Sequence, residues 1–422
     1  MMKKIQLFFC LIILNLNAIA QHCDPSKLPI VFIHGFLGSG DTYATQFQRF
    51  IANGYCKDQL FVFDWNSIGT RENTSIKLDS FINVVLNKSK SLKINLVGHS
   101  AGGGVGYSYL NDSLRALKVA NYVHIGSSKN AKPAGRKGEI TTMNIYSLDD
   151  KVAKTGDING AINIQQKGND HYQVATSEAS FWNMYSFFNP DILQKNEVKK
   201  IKKPIVAGKA CLMGENTPLA NASIDIYEID LKKGVRKREQ PSFHFVADQL
   251  GNWGPFTANS SIGYEFVLKP LGGQRTVYYY HEPFAANDQL VYLRALPKTG
   301  MTALLLNRLP SNDQQAVLAI FSSNGAVIAG RDSLTVNGYN LSSTIISPAS
   351  KTAIAQFIFD DGDGKSSGNL FPSFKSVPFM NGIDYLLDTK EIEPIHIYFN
   401  GRKYLLPKRK SGSEGIMVLV LN

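Results

Sequence analysis

Cysteine is scarce in this chain, four in 422 residues, with no CxxC pair and no Cys/His cluster. That spacing excludes a Cys/His metal centre. Beyond residue 20 no stretch approaches the ~18 uninterrupted apolar residues of a membrane-spanning helix, so no transmembrane span is expected. The basic runs Lys199–Lys203, Lys232–Arg238 and Lys408–Lys410 lack interleaved aromatics, which argues against a nucleic-acid partner. The glycine-rich loop Gly35–Gly40 has no lysine following it and so is no phosphate cradle. No internal repeat is found.

What is present points to a large exported protein. With 44 % hydrophobic and 19 % charged residues, the chain is long enough for two domains with full cores. Lys3 and Lys4 precede the largely apolar run Ile5–Leu14, and Ala18-Ile19-Ala20 forms a small-x-small cleavage site. Residues 1–20 are therefore expected to be a signal peptide, placing the mature chain in a secreted or periplasmic location. No lipobox cysteine follows the site. Removing the signal removes Cys10 and leaves Cys23, Cys56 and Cys211. Cys23 precedes the first strand and Cys56 the second, which allows either a bridge between them or three ordinary thiols. The net charge of +11 resides partly in the basic runs; they suit solvated surface, and also allow peripheral contact with anionic lipid.

Two halves differ in rhythm. Leu28–Ile33, Leu60–Phe63, Ile94–Val97, Tyr122–Ile125, Met143–Tyr146 and Ile162–Gln165 read as buried strands. Helical patterns lie between them: Tyr43, Phe47, Phe50 and Ile51, with Asp41 as a cap; then Phe81, Val84, Val85 and Lys88; and last Phe181–Phe188 after Ser177. Such alternation implies a mostly parallel sheet with helices on both faces. Residues 21–195 are expected to form this α/β domain and residues 196–204 a basic linker. Residues 205–422 show short alternating runs punctuated by Gly, Asn and Pro, as expected for an all-β sandwich or barrel of one or two modules.

The stretch Gly98-His99-Ser100-Ala101-Gly102 fits the G-x-S-x-G elbow, in which a strand reverses so sharply into a helix that only small neighbours leave room. Gly103 and Gly104 are expected to let that helix sit close on the strands. A serine hydroxyl needs a base and an orienting carboxylate to act as a nucleophile. The acid should end a later strand, where Asp149 and Asp150 stand; Asp150 fits that turn better, with Asp149 as a cap or turn former. Of the eight histidines, His171 alone follows the last strand of the first half and precedes its last helix, and is the candidate base. The oxyanion would be met by the backbone N–H of Ala101 and of Phe36. His34 is read as a brace for the Phe36 loop.

Residues 28–190 resemble a compact bacterial triacylglycerol lipase of the α/β-hydrolase fold, through VFIHGF, LVGHSAGG, NIYSLDDKV and GAINIQQKGNDHYQVATS. The resemblance implies the same roles for Phe36, Ser100, Asp150 and His171. Stretches such as YYYHEPFAANDQLVYLRAL, FIFDDGDGKSSG and VPFMNGIDYLL resemble the C-terminal domain of an archaeal long-chain carboxylic ester hydrolase, implying a β domain that helps bind lipid. That relative carries a long lid after its second strand, where this chain has only Trp65–Glu72. The shortened segment predicts a site open to water, with the β domain outside the triad.

The expected activity is hydrolysis of acyl or lipid esters through an acyl-enzyme, with no cofactor and no metal. Two other readings stand beside it: a hydrolase of polymer-linked esters, and a lipid-binding or adhesive protein on a vestigial hydrolase scaffold. Asp360-Asp361-Gly362-Asp363-Gly364 has the alternating oxygens of a calcium loop, but Phe371 stands where the twelfth-position glutamate would be. A tight β turn is the reading taken.

Overall fold

The computed structural model describes residues 23–191, 196–375 and 377–422. The expected signal peptide and Cys10 lie outside them. Six strands, β1 (Ile30–Ile33), β2 (Leu60–Phe63), β3 (Ile94–His99), β4 (Val119–Ile125), β5 (Thr141–Ser147) and β6 (Ile162–Gln166), form one sheet in the order β2-β1-β3-β4-β5-β6. Every pairing is parallel. Parallel strands buried on both faces need unbroken apolar runs, and Ile30–Ile33 supplies one. Ile30 and Phe32 face a cluster with α1 (Ala44–Ala52) and α6 (Glu178–Phe188), while Val31 and Ile33 face α2 (Thr74–Ser89) and α3 (Ala101–Leu110). The short helices α4 (Ser113–Ala116) and α5 (Gln173–Thr176) complete this half. The parallel sheet with helices on both faces expected from the rhythm of the sequence is the one found, as the resemblance to α/β-hydrolases also implied.

Two local expectations need correction. Asp41 does not cap α1: a 3₁₀ turn over Gly40–Tyr43 leads into the helix, and Asp41 instead meets Arg294 at 2.5 Å. On α2 the buried stripe is Leu78, Ile82 and Val85, while Val84 is 62 % exposed. The expected set mixed two faces, because Phe81 lies half-buried against Phe63 at the edge of the stripe.

Beyond residue 204 the chain is almost entirely β. A three-stranded sheet places Ile205–Leu212 between Asn252–Thr257 and Asp288–Ala295. A nine-stranded sheet runs from Phe243–Val246, paired with Ser223–Asp230, to Met380–Asp384, and a four-stranded sheet packs beyond it. The last strand, Ile416–Leu421, lies parallel between Val277–His281 and Leu318–Ser322, joining the earlier and later β segments into one sheet.

The β region packs firmly on the α/β half. Leu290 and Tyr292 are buried in the same cluster as Phe47, Phe50 and Phe181. The stretch after residue 195 is pinned on both sides: Asn53 and Asn196 exchange two 2.9 Å hydrogen bonds, and the Ile201 N–H reaches the Ala285 carbonyl at 2.9 Å. Cys23 and Cys56 are joined in a disulfide, and Cys211 is buried and free. Among the described residues no helix is long and apolar enough to cross a membrane.

Candidate active site

Strand β3 ends at His99, and Ser100 then takes φ 53° and ψ −122°. A non-glycine residue there is strained and persists only when its surroundings over-determine it. Those surroundings are glycines. A Cβ on Gly98 would come within 2.6 Å of the Gly102 carbonyl, and one on Gly102 would overlap the carbonyls of Ile33 and His34. A Cβ on Gly103 would overlap the Ser127 hydroxyl. Gly104 departs from expectation: it faces open space on the outer side of α3, so it has no part in the close approach.

The three residues singled out for chemistry meet. The Ser100 hydroxyl lies 2.9 Å from His171 Nε2, and His171 Nδ1 lies 2.7 Å from Asp150 Oδ2. A carboxylate can only accept, so Nδ1 carries the proton and Nε2 is left to receive the serine's. Burial alone would raise the Asp150 carboxyl. The hydrogen bond and charge of His171, with the amides of Val152 and Ala153, outweigh it and hold the group below the usual range. Asp149 is exposed and accepts the Gly168 N–H at 2.6 Å, as a turn former.

His99 lies behind the base. Its Nε2 donates to the His171 carbonyl at 2.9 Å, and its ring centre is 5.0 Å from that of His171. Burial first, then the neighbouring His171, pushes its imidazole down to about 3, so it stays neutral and acts as a strut. On the other side Phe379 stacks on His171, ring centres 5.5 Å apart and planes 12° from parallel. Phe379 comes from the β region.

The oxyanion loop runs from His34 to Asp41. Gly35 is needed where it passes the nucleophile, since a Cβ there would stand 3.0 Å from Ser100 Cβ. Among the described residues nothing accepts the Phe36 N–H, which leaves it free for a ligand, and Ala101 begins α3 directly after Ser100. His34 Nδ1 donates to the Gly35 carbonyl at 2.8 Å, while its Nε2 accepts from Trp65 N–H at 3.2 Å. It is a brace, as read from the sequence. The short segment Trp65–Glu72 also props this loop, since the Leu37 N–H donates to Ser67 Oγ at 2.8 Å.

The β domain does not lie apart from the triad as expected. Ser100, His171 and Phe36 line a cavity of about 320 Å³ whose other wall is Met213, Phe284, Leu290, Phe321, Phe379 and Val420. The β region thus forms one wall of the site. No local pattern in the sequence marks these residues, because Leu290, Phe321 and Val420 are single apolar positions in strands while Met213, Phe284 and Phe379 stand in turns or loops. The acidic loop at Asp360 is a separate feature. Its three carboxylates come within 4.8 Å of one another, and Asp360 accepts the amides of Gly362 and Gly364.

Comparison with known families matches this layout. Residues 27–111 match the class 2 lipase model, residues 202–297 the lipase C-terminal domain, and residues 312–404 a further model described as a C-terminal domain. A carboxylesterase structure from the thaumarchaeon Nitrososphaera gargenis aligns over 40 % of this chain and 94 % of its own, at 13 % identity and TM-score 0.32. A lipase of Bacillus licheniformis aligns over the same shares at 16 % identity and TM-score 0.31. An esterase of a Rhodococcus species covers 40 % and 92 %, at 15 % identity and TM-score 0.32. The chain carries a lipase-type α/β-hydrolase half followed by lipase-type C-terminal β sheets. It is a carboxylic ester hydrolase.

Proposed function

We propose that the protein is an exported serine hydrolase that cleaves acyl or lipid esters through an acyl-enzyme, with Ser100 as nucleophile, His171 as base and Asp150 as the orienting acid. The observation that carries this reading is the relay Ser100 Oγ–His171 Nε2–His171 Nδ1–Asp150 Oδ2 at 2.9 and 2.7 Å, opening on an apolar cavity. The Ser100 proton passes to His171 as the oxygen attacks the ester carbonyl. The tetrahedral oxyanion is met by the amides of Phe36 and Ala101, and the alcohol leaves with the proton from His171. Water then repeats the sequence on the acyl-enzyme. A vestigial scaffold would have no reason to keep a buried carboxylate aimed at a buried imidazole.

Export is supported by the basic-then-apolar N-terminus and the Cys23–Cys56 disulfide, a bond that persists in oxidising compartments. The apolar lining favours the acyl part of the substrate as the buried part, in keeping with a lipid or other acyl ester. Peripheral contact with a lipid surface is an accompanying proposal, supported by the basic runs alone. Incubation with a fluorophosphonate should add one phosphonyl group, located on Ser100 by peptide mass spectrometry, and abolish hydrolysis of a soluble ester series. Full modification of another residue with loss of activity would refute the assignment.

A further inference from the structure

We infer that Asn216, from the β region, is a positioning residue for the oxyanion loop, so that the two halves of the chain share one catalytic machine. This rests on the role proposed for Ser100 and Phe36. The loop needs outside support. Leu37 sits at φ 60°, a left-handed conformation that costs a non-glycine residue energy and relaxes unless held. The Phe36 N–H must point at the developing oxyanion, and a misplacement of about 1 Å costs on the order of 100-fold in rate.

Asn216 provides the hold. It is buried, and its side-chain amide uses both ends on this one loop and its prop. Oδ1 accepts from the Ser39 hydroxyl at 2.5 Å. Nδ2 donates its two protons to the Gly38 carbonyl at 3.0 Å and the Trp65 carbonyl at 3.1 Å, and lies 3.2 Å from His34 Nε2. The orientation of the amide is fixed by its partners, since a flip would set an oxygen against two carbonyls. The Trp65 N–H given to Nε2 favours the His34 tautomer whose Nδ1–H holds the Gly35 carbonyl, and Asn216 fixes Trp65 through its carbonyl. Gly35 and Gly38, on either side of Phe36, are therefore both fixed through this network.

The residue suits its own place equally well. Asn216 has φ 59°, a conformation that Asn and Asp tolerate better than other side chains. Its N–H bonds the Leu212 carbonyl at 3.0 Å, and the Thr217 carbonyl accepts from Leu212 N–H at 2.9 Å, closing a tight turn after the strand. Gly214 in that turn lies against Leu37, its Cβ position 3.2 Å from the leucine side chain. A second tie follows nearby: Arg294 pairs with Asp41 and also reaches Ser39 Oγ at 3.3 Å. The turn is docked on the oxyanion loop rather than beside it.

Asn216→Asp tests this, because it keeps the shape, the acceptor and the backbone preference but replaces the donor by a carboxylate facing two carbonyls. The readouts are kcat and KM on a soluble short-chain ester, the rate of Ser100 phosphonylation, and the melting temperature, all on the full mature chain. The expected result is a fall of about 10- to 100-fold in both kcat and phosphonylation, with KM within about threefold. A lowered melting temperature with unchanged kcat would make Asn216 a structural tie and overturn the inference. If that variant fails to fold, Ser39→Ala is read in the same way, with a smaller fall in kcat expected and an unchanged kcat overturning it. Wild-type protein that is active yet not labelled at Ser100 would overturn the underlying assignment, and the inference with it.

Discussion

Asp149 and Asp150 differ by one position and in everything that matters for chemistry. Asp150 is buried and hydrogen-bonded to His171, whereas Asp149 is exposed and closes a turn with Gly168. Asp150→Asn should therefore lower kcat by several orders of magnitude, through loss of the charge that orients and stabilises the imidazolium. Asp149→Asn should stay within a fewfold of wild type. Steady-state rates on one soluble ester decide it, and a more damaging Asp149→Asn would invert the assignment. Ser100, Asp150 and His171 were legible in the sequence because each lies at the end of a strand with its own local signature. Phe379 and Asn216 were not, since Asn216 meets Ser39 across 177 residues and no local pattern marks such a partner.

Helix α3 owes its position to glycines of unequal importance. A Cβ on Gly103 would overlap the Ser127 hydroxyl and come within 2.8 Å of His124 Nδ1, while Gly104 has nothing within 4 Å. Gly103→Ala should destabilise the protein by about 1–3 kcal/mol through overpacking and displace the start of the helix that follows Ser100. Gly104→Ala should be neutral or stabilise by about 0.5–1 kcal/mol, as expected for an exposed helical glycine. Urea unfolding of the two variants checks this, and equal effects would contradict it. The run of glycines was visible in the sequence, but not which of them faced the sheet. The same limit misplaced the α2 stripe by mixing two faces, whereas β1, an unbroken apolar run, and α6, rich in aromatics, were placed correctly. Asp41 was misread for another reason: a short polar residue before a helix is a natural cap until a distant arginine claims it.

Four buried histidines are held neutral across the whole molecule. His34, His99, His124 and His281 are buried, and burial lowers each imidazole, to about 3 for His99 and His281 and about 4 for His124. The unfolded chain takes up protons near pH 6.5, which the folded chain resists. The stability this represents is complete above that pH and is lost as pH falls towards the folded values, by up to about 1.4 kcal/mol per pH unit for each histidine. Melting temperatures should drop steeply between pH 7 and pH 5; a flat profile would contradict the burial argument. Removing residues 205–422 should likewise abolish activity on soluble and emulsified esters alike, because it strips the cavity wall and uncovers the cluster that Leu290 and Tyr292 complete. A well-folded truncated half with wild-type rates on a soluble ester would contradict that.

The alternation of strands and helices was enough to read the parallel sheet, and the glycine-flanked serine enough to read the elbow. How the two halves meet was not readable, because the interface is made of apolar strand residues and single polar side chains without a local signature. The claim on which the rest depends is that Ser100 performs the chemistry. The most direct measurement is the kcat of purified Ser100→Ala on a soluble short-chain ester, with circular dichroism and melting matched to wild type. Loss of the nucleophile should lower turnover by at least about 10³-fold with the fold unchanged. Turnover within about tenfold of wild type would contradict the account.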